Sequence, residues 1–278
     1  MDELSLDDFA PSSKKASSSP IPKAGSFGIS KGKKRGNGER VLLYGPGGVG
    51  KTTMASLITN ARFIDLENSS LNVDTERLEP GEDGWSIPLL LSALVPGPHL
   101  EGCNALIIDS SSKLEDMIVQ HVIDTIPVND KGLMGSKIED YGWGKGYVHV
   151  YDIFKQIIGM ADNLSARGIH IIWICHENAN RLNNAMGDNY LRIEPRLQNS
   201  EKSNVRAKLV ESCDHAIYLS FDISVKDSKV QGSGSRRCFV SSNPAYISKS
   251  RTLRDNVPFK SDKDDAIWRR LGINQEAK

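Results

Sequence analysis

The sequence predicts an α/β fold: a mostly parallel central sheet flanked by helices, with antiparallel strands at its C-terminal edge. Three observations predict it. The runs "RVLLYG", "ARFIDL", "NALIIDS" and "IHIIWICH" are apolar nearly throughout, as strands buried on both faces are. Segments of helical spacing separate them, the pattern of parallel strands joined by crossover helices. After "HAIYLSF", the glycine-rich "QGSGS" marks a hairpin, so the last strands run antiparallel.

Taken in order, the chain opens on an acidic stretch, "MDELSLDDFA", followed by seven Lys or Arg and no acid between positions 11 and 38. Ser, Pro and Gly fill the rest, which predicts a disordered tail and basic linker over 1–38. A solvated tether is the simpler reading; a peptide that docks on a partner is the sharper one. The core is expected over 39–260, with a C-terminal tail or helix over 261–278.

Residues 40–45 form the first strand, "TTMASLIT" a helix, and "ARFIDL" the second strand. A short helix is expected around "SIPLLLSAL" and a third strand over 104–110. Ser112 with Glu115 suggests a capping box for a helix ending before Pro127. The Gly-rich, aromatic 128–146 reads as a loop. Apolar residues at 147, 150, 151, 154, 157, 158, 161 and 164 predict a long helix closed by Gly168. The strand 169–176 follows, then a polar loop over 177–204, a short helix, the strand "HAIYLSF", the hairpin and a last strand "AYISKS".

Basic and acidic residues balance at 35 each, so any nucleic-acid contact must come from a local patch. Cys103, Cys175, Cys213 and Cys238 are scattered with no CxxC pair, which argues for buried thiols and against a zinc site. No apolar run reaches membrane-spanning length and the N-terminus has no signal-peptide core. A cytoplasmic protein is expected.

"GPGGVGKT" at 45–52 matches G-x-x-x-x-G-K-[ST] between a strand and a helix, the context a phosphate-binding loop requires. Gly45, Pro46, Gly47, Gly48, Val49 and Gly50, with Lys51, Thr52 and Thr53, are therefore the candidate ATP cradle. Lys51 reaches the β and γ phosphates and Thr52 ligates Mg²⁺ in such loops. Pro46 stands where partition-type ATPases carry a lysine, which sets that class aside. Asp109, at the end of "ALIID", is the candidate second Mg²⁺ residue. Remodelling ATPases of the AAA+ type follow this aspartate with a glutamate base, whereas Ser110 follows here. The base must come from another strand. Glu67 in "FIDLEN" ends the strand after the loop's helix, at the carboxyl edge where ligands bind, and could deprotonate the attacking water. Asp65 reads as a structural or supporting group.

Together, "LLYGPGGVGKTTMA", "FIDLE", "LIIDS", "DYGWGKGY", "IIWICHE" and "AYISKSR" resemble the RecA-like recombination ATPases, in particular short phage nucleotide-binding, single-strand-annealing versions. The resemblance covers about residues 39 to 260. It implies a RecA-like P-loop fold, ATP hydrolysis with Mg²⁺, and assembly into a ring or filament on single-stranded DNA with ATP between subunits. It implies that Glu67 is the catalytic glutamate and His176 the γ-phosphate sensor. Lys249 and Arg251 become cations inserted at a neighbour's γ-phosphate. The loops 128–146 and 177–204 would line the DNA channel. The first offers Lys131, Lys137, Lys145, Tyr141 and Trp143, cations beside aromatics as single strands favour; the second offers Arg181, Arg192, Arg196, Lys202 and Arg206. Phe27 and Ile29 could add an edge strand to a neighbour. The acidic tail would dock on a single-strand-binding protein or another replication or recombination partner. A P-loop kinase for a small molecule or nucleotide, and a slow nucleotide-dependent switch, are the alternatives.

Overall fold

The computed structural model describes residues 37–184, 187–226 and 229–274; the acidic tail, the basic linker and the edge strand expected at Phe27 and Ile29 lie outside these residues. The elements are β1 (Arg40–Gly45), α1 (Lys51–Ser56), β2 (Ala61–Asp65), β3 (Glu76–Arg77), α2 (Ile87–Ala93), β4 (Ala105–Asp109), α3 (Ser111–Thr125), α4 (Lys145–Ser165), β5 (His170–Leu182), β6 (Tyr190–Pro195), α5 (Val205–Ser212), β7 (His215–Lys226), β8 (Lys229–Phe239), β9 (Lys249–Ser250), β10 (Val257–Phe259) and α6 (Ala266–Arg270). The strands order as β10-β8-β7-β1-β5-β4-β2-β3. From β7 to β3 every pairing is parallel; β8 and β10 join antiparallel at the other edge. This is the α/β sheet the apolar runs predict.

Alternation along each strand feeds two cores. Leu42 and Tyr44 of β1 pack toward α2, α3, α4 and α5; Val41 and Leu43 pack toward α1 and α6. Strands with helices on both faces need apolar side chains on both, which is why "VLLY" does not alternate. All four cysteines are buried and free. No helix among the described residues is long and apolar enough to cross a membrane.

Several boundaries differ from expectation. The segment 177–204 is not simply a loop: β5 runs past the sheet to Leu182 and pairs antiparallel with β6, Glu177 opposite Pro195 and Leu182 opposite Tyr190. The first strand of this ribbon, "ENANRL", carries no apolar period, whereas in "YLRIEP" the apolar Leu191, Ile193 and Pro195 alternate with Arg192 and Glu194, a strand period inside a segment that otherwise reads as polar loop. The hairpin is not at "QGSGS", which lies inside β8. Register shifts there between Phe221 and Ile223, and Gly234 has φ 74°, so the glycines accommodate a bulge rather than a turn. "AYISKS" keeps only Lys249–Ser250 as strand. The cap of α3 is Ser110, whose Oγ accepts from Lys113 N; Ser112 instead donates to Arg196 O. Finally, 261–274 packs into the core, with Ile267, Trp268, Leu271 and Ile273 all buried.

Candidate active site

Parallel strands align their carboxyl ends, and four of them deliver the candidate residues to one crevice. Gly45 of β1 lies level with His176 of β5, and Asp109 of β4 lies between Ile174 of β5 and Asp65 of β2. The result is a cavity of about 280 Å³ lined by Gly47, Gly48, Gly50, Lys51, Thr52, Thr53, Glu67, Ser69, Asp109 and His176. Residues 45 to 176 in sequence thus meet within one site.

The loop 45–50 turns into α1 with φ of 73° at Gly48 and 97° at Gly50, conformations that glycine adopts at little cost. Lys51 is buried and its Nζ donates to Gly45 O and Pro46 O, both at 2.9 Å. Burial lowers its pKa while Asp109 opposes that. Thr52 Oγ1 donates to Asp109 Oδ2 at 2.7 Å, and Ser69 Oγ donates to the same oxygen at 2.6 Å. Two hydroxyls and a carboxylate make a hard, all-oxygen set. Such a set fits Mg²⁺ held partly by protein and partly by nucleotide phosphates, and no cluster of three His, Cys, Asp or Glu exists among the described residues to cage a metal alone. Asp109 is pushed up by its burial, a cost that a bound cation would relieve.

Asp65 organises the loop that follows β2. Its Oδ1 accepts from Glu67 N and Ser69 N, and its Oδ2 from Ser70 N and Ser70 Oγ. Glu67 thereby projects into the cavity. Ser110 Oγ donates to Glu67 Oε1, and His176 Nε2 lies 3.1 Å from Glu67 Oε2. The His176 contact, ahead of the Ser110 hydrogen bond, holds the Glu67 carboxyl down at about 2.

The remaining cations fall elsewhere. Ala216 and His215 pair with Lys249 and Ser250, at the amino end of β7 and away from the phosphate loop. Lys249 Nζ donates to Glu211 O, and Arg251 pairs with Asp214 at 3.2 Å while staying largely exposed. Neither approaches this chain's own cavity.

Among the expected DNA contacts, Lys131, Lys137, Lys145, Arg181 and Arg196 are exposed. Trp143 is 93% exposed, at φ 51° between Gly142 and Gly144. Arg196 lies 3.7 Å from Asp116, and its N–H donates to His176 O. Three expectations need correction. Tyr141 is buried and its hydroxyl donates to Val122 O and Ile126 O, so it anchors its loop to α3. Arg192 and Arg206 both pair with Glu194, which is fully buried; Arg206 ties α5 to the ribbon, Arg192 is engaged within β6, and neither is free for phosphates.

Glu115 of α3 accepts Gln198 N through both oxygens, and burial pushes its carboxyl up to about 7. Between its ordinary pKa near ~4.3 and 7, the folded chain holds a proton that the unfolded chain has lost. Folding stability therefore falls as pH rises across that window. Glu115→Gln is expected to flatten this part of the profile. Urea denaturation at pH 5 and pH 8 checks it; a parallel pH slope in wild type and variant contradicts it.

The AAA domain model matches residues 37–252. The chain belongs to the AAA domain family. A search of curated proteins finds no match. This AAA domain is of the P-loop ATPase type, and the cavity above, lined by its phosphate-binding loop, is the candidate nucleotide site. It places a serine, not a glutamate, after the strand aspartate, and that serine holds Glu67 from the neighbouring strand. Sequence reasoning missed Ser69 and the role of Ser110. The asparagine-serine run "ENSS" after Glu67 was the signal for Ser69, since its hydroxyl follows the acid at a strand end.

Proposed function

We propose that this AAA domain hydrolyses ATP with Glu67 as base and does so while assembled on single-stranded DNA, promoting annealing or recombination as RecA-like phage proteins do. The observation that carries this reading is the junction at His176. One side of that residue touches Glu67; the other continues into the projecting β5–β6 ribbon with the exposed Arg181.

A carboxylate held near 2 is a weak base. Bound as described, Glu67 is occupied by His176 and Ser110 and cannot accept a proton readily. A strand of DNA on the ribbon would shift His176, release one of these contacts and free Glu67 to orient water. Mg²⁺, held by Thr52 and Asp109, would neutralise phosphate charge. Lys51 would exchange its two loop carbonyls for phosphate oxygens.

Trp143 supports the DNA reading, because an almost fully exposed indole with Lys137 and Lys145 in the same loop offers stacking and charge together. In such an assembly Lys249 and Arg251, which lie at the far end of the sheet from this chain's own cavity, would serve a neighbouring chain's phosphates. Arg251 is largely exposed and its partner Asp214 is already held by Arg40 through both carboxylate oxygens, so Arg251 could exchange partners. A single-strand-binding protein as partner of the tail, and a cytoplasmic location, complete the proposal.

A second reading has one observation in its favour. A cavity of about 550 Å³ lies beside the Glu67 loop, lined among others by Asp65, Leu66, Arg77, Trp85 and Lys113, and could be the acceptor pocket of a small-molecule kinase. ATP turnover with and without an unstructured DNA oligonucleotide separates the two. Stimulation by DNA is expected, with Trp143→Ala weakening DNA affinity about tenfold. ADP formation only with a small acceptor present favours the kinase.

A further inference from the structure

We propose that Arg236 is a positioning residue of the phosphate loop, acting through the Val49–Gly50 peptide. The proposal rests on nucleotide binding by this loop. Arg236 sits on β8 opposite both Phe221 and Phe259, and its Nη1 donates to Val49 O at 3.2 Å.

In a trans peptide the carbonyl and the N–H point in opposite directions. A guanidinium on the Val49 carbonyl therefore turns the Gly50 N–H away from itself. Gly50 lines the nucleotide cavity, and N–H groups of this loop cradle the α and β phosphates. The hydrogen bond also polarises the peptide, so that the N–H becomes a stronger donor.

Gly50 makes the approach possible. A Cβ there would lie 2.6 Å from Arg236 Nη1, and its φ of 97° disfavours any side chain. The glycine thus serves a close contact on its outer side as well as the turn toward phosphate.

Arg236 is itself held in place. Its guanidinium lies 4.2 Å over the Phe259 ring, and Nη2 pairs with Asp262 at 2.8 Å. Both partners come from the segment after residue 252, beyond the stretch that matches the AAA domain. The same segment grips the helix after the loop: Trp268 Nε1 donates to Met54 O at 2.6 Å, and Asn274 bonds Leu57 O and Thr59 N. The C-terminal segment thus braces the loop and its helix from outside the cavity, with Arg236 as the contact that reaches the loop backbone.

The test is nucleotide affinity in the full chain, with ADP and ATP as probes and Mg²⁺ present. Arg236→Met is expected to weaken both nucleotides about tenfold and equally, since the α and β phosphates are common to them. The loss should fall on KM rather than kcat. Arg236→Lys should recover part of it, because an ammonium can still donate to the carbonyl. Asp262→Asn, at an exposed carboxylate, should weaken ADP by about two- to threefold. Wild-type ADP affinity in Arg236→Met, or a fall in kcat with ADP affinity unchanged, overturns the proposal. If Arg236→Met does not fold, the other two variants decide: weakened ADP binding in either supports it, and wild-type affinity in both overturns it.

Discussion

Glu67→Gln is expected to lower ATP turnover by about 10²- to 10⁴-fold, the range for removing a general base, with nucleotide binding kept. The amide has the shape of the carboxylate and keeps an acceptor for Ser110 Oγ. It loses the proton affinity that chemistry needs, and the charge that draws His176 to 3.1 Å. Since Lys51, Thr52 and the loop glycines are untouched, the cradle for phosphates remains. Fluorescence titration with a labelled ATP analogue should show affinity within a few-fold of wild type beside a collapsed steady-state rate. Turnover near the wild-type level would move the base elsewhere, and the lining of the cavity leaves Asp109 as the other acid. Asp109 is already committed to the two hydroxyls of Thr52 and Ser69.

Glu194→Ala is expected to cost about 3–5 kcal/mol of stability, the range for breaking a buried ion pair from one side. Glu194 is wholly buried and receives Arg206, Arg192 and Asn180. Removing it strands Arg206, itself buried, without its counter-charge. The ribbon would lose its tie to α5, so DNA stimulation should fall more than basal turnover. Replacing Arg206 and Glu194 together by leucine should recover much of the stability, because a buried ion pair and a well-packed apolar pair are often comparable. Chemical denaturation of single and double variants measures this; equal losses in both would place the energy in packing rather than charge.

How much of this was legible in the sequence depends on the kind of signal. β1, β2 and β4 announce themselves because burial on both faces demands unbroken apolar runs, and the loop 45–52 because its chemistry fixes its glycines and lysine. Glu67 was legible by elimination, since Ser110 stands where a base could have been. That Ser110 then reaches back to Glu67 was not, because it depends on strands β2 and β4 being neighbours, which spacing does not encode. The β5–β6 ribbon escaped because its first strand is Asn-rich and such segments read as turns, although Leu191, Ile193 and Pro195 alternate with Arg192 and Glu194 in the second. Tyr141, Arg192 and Arg206 show the same gap from the side of function. A residue type suited to nucleic acid is equally suited to holding a loop or neutralising a buried acid, and burial alone separates the two. Trp143, by contrast, kept its expected exposure because the glycines on either side hold it out.

The most direct measurement is a structure with Mg²⁺ and a non-hydrolysable ATP analogue, read for the distance from the Glu67 carboxylate to the terminal phosphorus. An ordered water between them, hydrogen-bonded to Glu67 and in line with the bond to be broken, is the predicted result. Glu67 still clasped by Ser110 and His176, with no water between it and the phosphate, would contradict it.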